Sequence, residues 1–422
     1  MPSIIHSKLF TTISLFVVVF LIYVASGNPE YGGDTRWSVH VAGSLLYTHD
    51  LNLDEYYSQT HYLPPNYKPK PPEVIKVGNH GYNLFPYGVS VMEVPILWSI
   101  DTFAGKNTKA ALAKVDLTKK YQLASASLFM AIGVAIFFLI GMELIGDLKR
   151  SLLISLLYAF GSSAYSIGSR GLWMHGPTML WLSVGLLGVL KARKNTNWLY
   201  LTGFAIAFSY VVRPTNAVSC LMFAAYAVYK FRWQSLKYFA GAAIVAIPFL
   251  LFNHNQFHAW LPPYYHHSEA FKNPSLVAAL LGDLISPNRG LLIYTPVLLF
   301  VPLGWKILWK GNKYRDVVVL LSAIIVLHWF VIADTKEWWG GYSFGPRFFS
   351  DVAPLMFFFL LPISFSLLNR VVKVLFVLAA SLSIFFNFLG ANSKGTVNWN
   401  KGPGSVHSRV WKWSDMQIFR GL

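Results

Sequence analysis

The chain is 422 residues long, 55% hydrophobic and 13% charged, with 35 Lys and Arg against 18 Asp and Glu and a formal net charge of +17. That balance lies outside the range of an ordinary soluble domain. The basic excess gathers in short loops between apolar segments, with no basic helix or RNA-binding motif, so no nucleic-acid partner is expected. The one cysteine, Cys220, lies in an apolar run and cannot form an internal disulfide.

Residues 9–26, preceded by Lys8, form the first predicted span. Val24, Ala25 and Ser26 resemble a leader-cleavage site, and either a cleaved leader or an uncleaved anchor exports the next segment. An uncleaved anchor is the reading adopted, because ten further spans lie downstream. Residues 27–120 are mostly polar and contain one amphiphilic stretch, Tyr82 to Ala104, long enough to cross a bilayer. As a span it would invert the distribution of basic loops, and it contains Pro86, Gly88, Glu93 and Pro95. It is therefore read as a helix lying in or near the outer interface. The Lys106 to Lys120 cluster, which would suit a cytoplasmic loop, argues the other way.

The ten later spans are predicted near 121–146, 151–168, 174–190, 198–212, 215–229, 238–253, 291–309, 316–333, 350–368 and 372–391. Every second loop is basic: Lys149 and Arg150; Lys191, Arg193 and Lys194; Lys230, Arg232 and Lys237; Lys306, Lys310, Lys313 and Arg315; Arg370 and Lys373. Short basic loops mark the cytoplasmic side. The fold class is thus an all-α polytopic membrane protein of about eleven transmembrane helices. It divides into a first transmembrane helix (1–26), an outer loop with interfacial helices (27–120), a bundle (121–391) holding a second outer loop (254–290), and an outer tail (392–422). No internal repeat is evident.

The outer segments carry the unusual chemistry. Asp34, in Gly32-Gly33-Asp34-Thr35-Arg36-Trp37, comes after two glycines that permit a tight turn. A carboxylate held there is placed to take a proton from a hydroxyl, or to cap the next helix. Arg170, Arg213, Arg289 and Arg347 each stand beside Gly or Pro where an outer loop meets the membrane. A guanidinium there needs a partner, and a phosphate is one that Arg meets with a bidentate fork; snorkelling to lipid headgroups is the alternative. His61, His80, His175, His254, His258, His266 and His267 also gather outside, with only Glu269 near them in sequence, so zinc is not expected. Trp338, Trp339, Tyr342 and Phe344 interleave with Gly340, Gly341 and Gly345. They suit either interfacial anchoring or stacking on a sugar ring.

This arrangement resembles the GT-C glycosyltransferases, and more narrowly the bacterial relatives of protein O-mannosyltransferases and the lipid A aminoarabinose transferase. Five strings in order carry the resemblance over roughly residues 10–390. They are Tyr82-Asn83-Leu84-Phe85-Pro86-Tyr87-Gly88, Gly171-Leu172-Trp173-Met174-His175-Gly176-Pro177, Val212-Arg213-Pro214-Thr215-Asn216, Ser286-Pro287-Asn288-Arg289-Gly290-Leu291, and Trp338-Trp339-Gly340-Gly341-Tyr342-Ser343-Phe344-Gly345-Pro346-Arg347. The resemblance implies a GT-C-like bundle and an inverting transfer of a sugar from a polyprenyl-phosphate donor to an extracytoplasmic glycan, lipid or protein hydroxyl. It implies Asp34 as the catalytic acid, and a bacterial inner membrane as the location. Donor phosphate is expected at Arg213, Arg289, Arg347 and Arg170, and substrate at His80, Tyr82, His175, Trp338 and Tyr342. Many relatives carry two adjacent acids where this chain has Gly33 and Thr35 around Asp34, so no metal or other cofactor is expected and Asp34 is left as a single general base. Asp50, Asp54 and Glu55 are the alternative acids. A transporter would call for repeated halves and mid-membrane charges. A polysaccharide polymerase or ligase would place its Arg and His residues in a late outer loop such as 254–290.

Overall fold

The computed structural model describes residues 2–30, 32–57, 73–266 and 271–422. Helix α1 (Pro2–Ala25) buries Leu15, Val19 and Tyr23, one per turn, against the long α6 (Val115–Leu144). Between them lie a 3-10 turn (Gly33–Thr35), α2 (Ser38–Tyr47), α3 (Asp54–Tyr57), an antiparallel ribbon of β1 (Val74–Val77) and β2 (His80–Asn83), α4 (Gly88–Ala104) and α5 (Thr108–Leu112). The stretch Tyr82 to Ala104 is therefore not one helix. Tyr82 and Asn83 pair with Ile75 and Val74, and helix begins only beyond Pro86. At 17 residues α4 is not among the helices long enough to cross a bilayer.

Residues 27–120 leave the bundle and return to it at the same end. Gln122 Nε2 at the start of α6 donates to the Thr35 carbonyl at 2.6 Å, and His40 Nε2 of α2 lies 3.3 Å from the Leu112 carbonyl of α5. The Ser125 hydroxyl of α6 donates to buried Glu93 of α4 at 2.8 Å. The Lys106 to Lys120 cluster thus belongs to the end of the bundle that carries Asp34.

The remaining elements are α7 (Leu148–Phe160), a wide π turn (Ala164–Gly168), α8 (His175–Ala192), α9 (Trp198–Val212), α10 (Ala217–Phe231), α11 (Leu236–Phe257), α12 (Leu276–Ile285), α13 (Leu291–Tyr294), α14 (Val301–Lys310), α15 (Arg315–Ala333), α16 (Ala353–Phe358), α17 (Arg370–Asn392), α18 (Lys394–Trp399) and α19 (Val406–Arg409). Side-chain caps set several starts: Asp147 accepts from Arg150 N at 3.0 Å before α7, and Asn369 from Val372 N at 2.9 Å before α17. Five stretches are long and apolar enough to cross a membrane: Ser7–Ala25, Val115–Leu144, Pro214–Phe257, which holds both α10 and α11, Arg315–Ala333 and Arg370–Asn392. The all-helical polytopic membrane fold expected from the sequence is the one observed, with two of the expected spans interrupted. The segment 291–309 breaks into α13, a 3-10 turn and α14 at Pro296 and Pro302, and 350–368 is built from 3-10 turns around the short α16. Residues 352–361 are wholly buried, and irregular backbone is tolerated in a bilayer where protein covers it.

Helices α9 and α11 approach each other closely, backbone to backbone. A Cβ on Gly203 would sit 1.8 Å from the Tyr238 carbonyl oxygen, and one on Gly241 would sit 1.9 Å from that of Tyr200. This is reciprocal small-residue packing, as between membrane helices. Outward faces are apolar, with Leu221, Val277, Ile244 and Val371 each more than half exposed. So continuous a surface suits lipid, not water.

The basic loops gather at one end. There Asp316 meets Arg193 at 2.6 Å and Lys230 at 2.7 Å, and Glu143 pairs with Lys194. The opposite end is closed by residues 392–422. Buried Asn288 donates to the carbonyls of Arg409, Lys412 and Asp415 at 2.8, 3.3 and 3.2 Å, and accepts from Gln417 N at 2.6 Å.

Candidate functional site

Asp34 sits in the 3-10 turn just beyond α1. Gly32 and Gly33 hold φ of +137° and +51°, which a side-chain-bearing residue resists, so the two glycines do set the turn. Gly32 N donates to Thr35 Oγ1 at 3.1 Å and closes it. The Asp34 carboxylate does not cap α2, whose N-cap is Trp37. Its nearest ionic neighbour is an Arg347 terminal nitrogen at 3.9 Å.

Arg347 opens the 3-10 turn Arg347–Val352, with its guanidinium over the rings of Trp173 at 4.7 Å and Phe348 at 5.4 Å. Its buried Nε has no hydrogen-bond partner among the described residues. Arg213 comes after α9 in extended backbone, forced there by Pro214. Its Nε donates to Asp351 at 2.6 Å and to Thr215 Oγ1 at 3.0 Å. Neither terminal nitrogen makes a hydrogen bond among the described residues. Asp351 is fully buried, with His175 Nδ1 at 2.7 Å and His328 Nε2 at 3.8 Å. A buried carboxylate thus holds Arg213 from behind and leaves its fork open.

Two cavities meet at this point. One, of about 850 Å³, is walled by Phe85, Tyr210, Tyr264, Phe271, Ile332 and Phe348, with Arg213 and Lys336 among them. The other, of about 800 Å³, is the more polar of the two, with Asn28, Glu30, Lys119, Lys394, Asn398 and Lys401 in its lining. Asp34, Arg347 and Glu337 line both, so they form the partition. Chemically, this sets a carboxylate and an arginine where the contents of an apolar-walled chamber and a polar chamber touch.

Glu30 adds a third carboxyl, beside Asp34 and Glu337. Trp173 Nε1 donates to it at 2.8 Å. Burial, the largest influence, pushes it from an ordinary 4.5 up to about 7 against the pull of the Trp173 hydrogen bond and of Arg347 and Arg170. With its folded pKa above the unfolded one, the folded chain binds the extra proton between those values, so stability falls as pH rises from 4.5 through 7. Glu30→Gln is expected to flatten that part of a thermal-stability profile, exceeding wild type above pH 7 and converging with it in acid. An unchanged slope would assign the pH dependence to other groups.

Of the remaining expected residues, all but Tyr342 lie elsewhere. Arg170 is spent inside the fold: it donates to the carbonyls of Ser26 and Tyr23 and stacks 5.3 Å from Tyr165, tying down the end of α1. Arg289 is likewise consumed by the carbonyls of Asn288, Trp339 and Gly341 and by the side chains of Gln417 and Asn400. Trp338 is buried against Ala279, Ala333 and Trp399 and lines neither cavity. His80 pairs with Asp54 at 2.5 Å, and Tyr82 packs on Phe257, both away from the partition. His175 stands behind Arg213 and lines neither chamber, whereas Tyr342 lines the polar one. Among the alternative acids, Asp50 caps a turn at Asn52, Asp54 takes His80 and Gly81 N, and Glu55 takes Ser44. His61, His267 and Glu269 lie outside the described residues, and His254 stacks on Trp260. No group of three or more His, Cys, Asp or Glu able to hold a metal occurs among the described residues.

Sequence reasoning missed Glu30, Glu337, Asp351 and His328. An acid at the head of an apolar segment, as Asp351 is, was itself a signal, because a charge there needs a partner. No protein-family model and no curated protein matches the sequence. The fold is similar to that of the crystal structure of ArnT from Cupriavidus metallidurans bound to undecaprenyl phosphate, with a TM-score of 0.54 and 9% identity. The match covers 93% of this chain and 65% of that one, so this chain spans less than two thirds of the neighbour's length. The class this defines is an all-helical membrane protein with the GT-C-like fold, as the sequence strings implied.

Proposed function

We propose that the chain is a membrane glycosyltransferase that moves a sugar, with inversion, from a polyprenyl-phosphate donor to a hydroxyl acceptor outside the cytoplasm. The observation that carries this reading is the partition: Asp34 and Arg347 stand between an apolar-walled chamber with Arg213 and a polar one. A prenyl chain suits the first chamber, and a hydroxylic acceptor suits the second. The solved neighbour of this fold was crystallised with undecaprenyl phosphate, a lipid of the required chemistry.

In the reaction, Asp34 takes the proton of the acceptor hydroxyl as its oxygen attacks the anomeric carbon. The carbon–oxygen bond to the phosphate breaks on the opposite face, and the electron pair leaves with the phosphate. Arg213 and Arg347 offer unengaged guanidinium donors to the charge that develops there. A phosphate leaves readily, so no strong general acid is needed. Base and leaving group must flank the sugar, as in inverting glycosidases, so the leaving phosphate belongs on the Arg213 side of the apolar-walled chamber, with Arg347, 3.9 Å from Asp34, at the partition. The basic loops lie at the opposite end, which supports an orientation with Asp34 facing outward in a bacterial inner membrane.

Transfer from a panel of polyprenyl-phosphate sugars in liposomes tests the reading. One donor is expected to be consumed by the wild type. Arg347→Gln, which breaks no side-chain hydrogen bond among the described residues, is expected to lower turnover about 10²–10³-fold, the usual loss for one donor to developing charge. Failure of every donor would remove the assignment.

A further inference from the structure

We propose that the basic end of the bundle, remote from Asp34, holds an anionic phospholipid headgroup between α10 and α15. A cavity of about 550 Å³ opens there, bounded by Tyr226, Tyr229 and Lys230 of α10, Arg193, and residues 312–320. It brings together Arg193, Lys230, Lys313 and Arg315 against one carboxylate, Asp316. That carboxylate is fully committed. It accepts from Arg193 at 2.6 Å, from Lys230 at 2.7 Å and from the Tyr226 hydroxyl at 3.1 Å. Arg193 also donates to the Lys313 carbonyl at 2.6 Å, which fixes the loop that carries the other two cations.

Lys313 and Arg315 pair with no carboxylate among the described residues. The Lys313 ammonium sits over the Tyr314 ring at 5.0 Å. Arg315 donates from Nε to the Trp309 carbonyl at 2.7 Å, and its guanidinium lies over the Trp309 ring at 5.4 Å. Its terminal nitrogens make no hydrogen bond among the described residues. The cavity therefore holds more positive charge than its own acid neutralises, with donors still to be met.

The other wall is apolar: Met222, Ala225, Val319 and Leu320. Val319 is 54% exposed and Tyr229 76%, and the apolar surface continues along the outward faces to Leu221 and Val326. Free phosphate would satisfy the cations but leave that wall bare. A phosphate attached to acyl chains satisfies both, and basic pockets between transmembrane helices are suited to anionic headgroups. The occupant is thus a membrane phospholipid whose phosphate meets Lys313 and Arg315 while its chains run down α10 and α15.

Native mass spectrometry of the delipidated full chain, titrated with phosphatidylglycerol, tests this. One lipid is expected to be retained in preference to phosphatidylcholine, and K313Q/R315Q to weaken its retention about tenfold or more. Millimolar inorganic phosphate is expected not to displace it. Met222→Trp, which fills the apolar wall, is expected to reduce retention while both cations stay. Equal retention of the two lipids, or of phosphatidylglycerol by wild type and K313Q/R315Q at matched thermal stability, overturns the proposal. Displacement by inorganic phosphate overturns the lipid as the source of the anion.

Discussion

Asp34→Asn is expected to lower sugar transfer about 10²–10⁴-fold, the range a positioned general base contributes. Binding of the polyprenyl-phosphate donor is expected to stay within a few-fold of wild type. The substitution keeps the size of the side chain, turns one acceptor oxygen into an N–H donor and removes the negative charge that lets it take a proton. It leaves the turn intact, because Gly32 and Thr35 close it without the Asp34 carboxylate. The ionic approach of Arg347, at 3.9 Å, is removed along with the charge. The measurement is single-turnover transfer in liposomes beside donor affinity by calorimetry. Loss of both in parallel would assign Asp34 to donor binding through Arg347. Retention of both would remove it from the site.

Asp351→Ala is expected to be the most destabilising single change at the site, by about 3–5 kcal/mol, because it leaves a buried cation without its counter-charge. Arg213 is 6% exposed and forms a short ion pair only with Asp351 among the described residues. His175 Nδ1 loses its 2.7 Å partner as well. Thermal unfolding in detergent reads the loss. The paired change Asp351→Ala with Arg213→Met separates stability from function. Removing both charges is expected to recover most of the stability, because a well-packed apolar pair often replaces a buried ion pair at no cost. Transfer is expected to remain lost, since the donor phosphate then lacks the Arg213 fork. Full activity in the pair would place the phosphate elsewhere.

Much of this architecture was legible from local chemistry. The alternation of basic loops separated the two ends of the bundle, and the Gly32–Gly33 pair located the turn that presents Asp34. Those signals are local, so sequence preserves them. The four arginines were alike in sequence, each beside Gly or Pro, yet only Arg213 and Arg347 line the chambers. What separates them is which carbonyls lie within reach. Arg170 finds those of Ser26 and Tyr23, 144 and 147 residues back along the chain, and Arg289 finds Gln417, 128 residues ahead. No window of sequence holds that information. The broken spans escaped for a related reason: hydropathy counts apolar residues, but Pro296 and Pro302 decide whether they form one helix.

The tail has a consequence for how the protein is made. Lys394, Asn398 and Lys401 form one side of the polar chamber, and Gln417 locks that side to Asn288 and Arg289. The chamber therefore has no finished wall until residues 394–417 have left the ribosome. A nascent chain can insert α1 through α17 and still have no complete site. Synthesis that stops short of Gln417 would leave an inserted bundle in which that wall of the chamber is not locked in place.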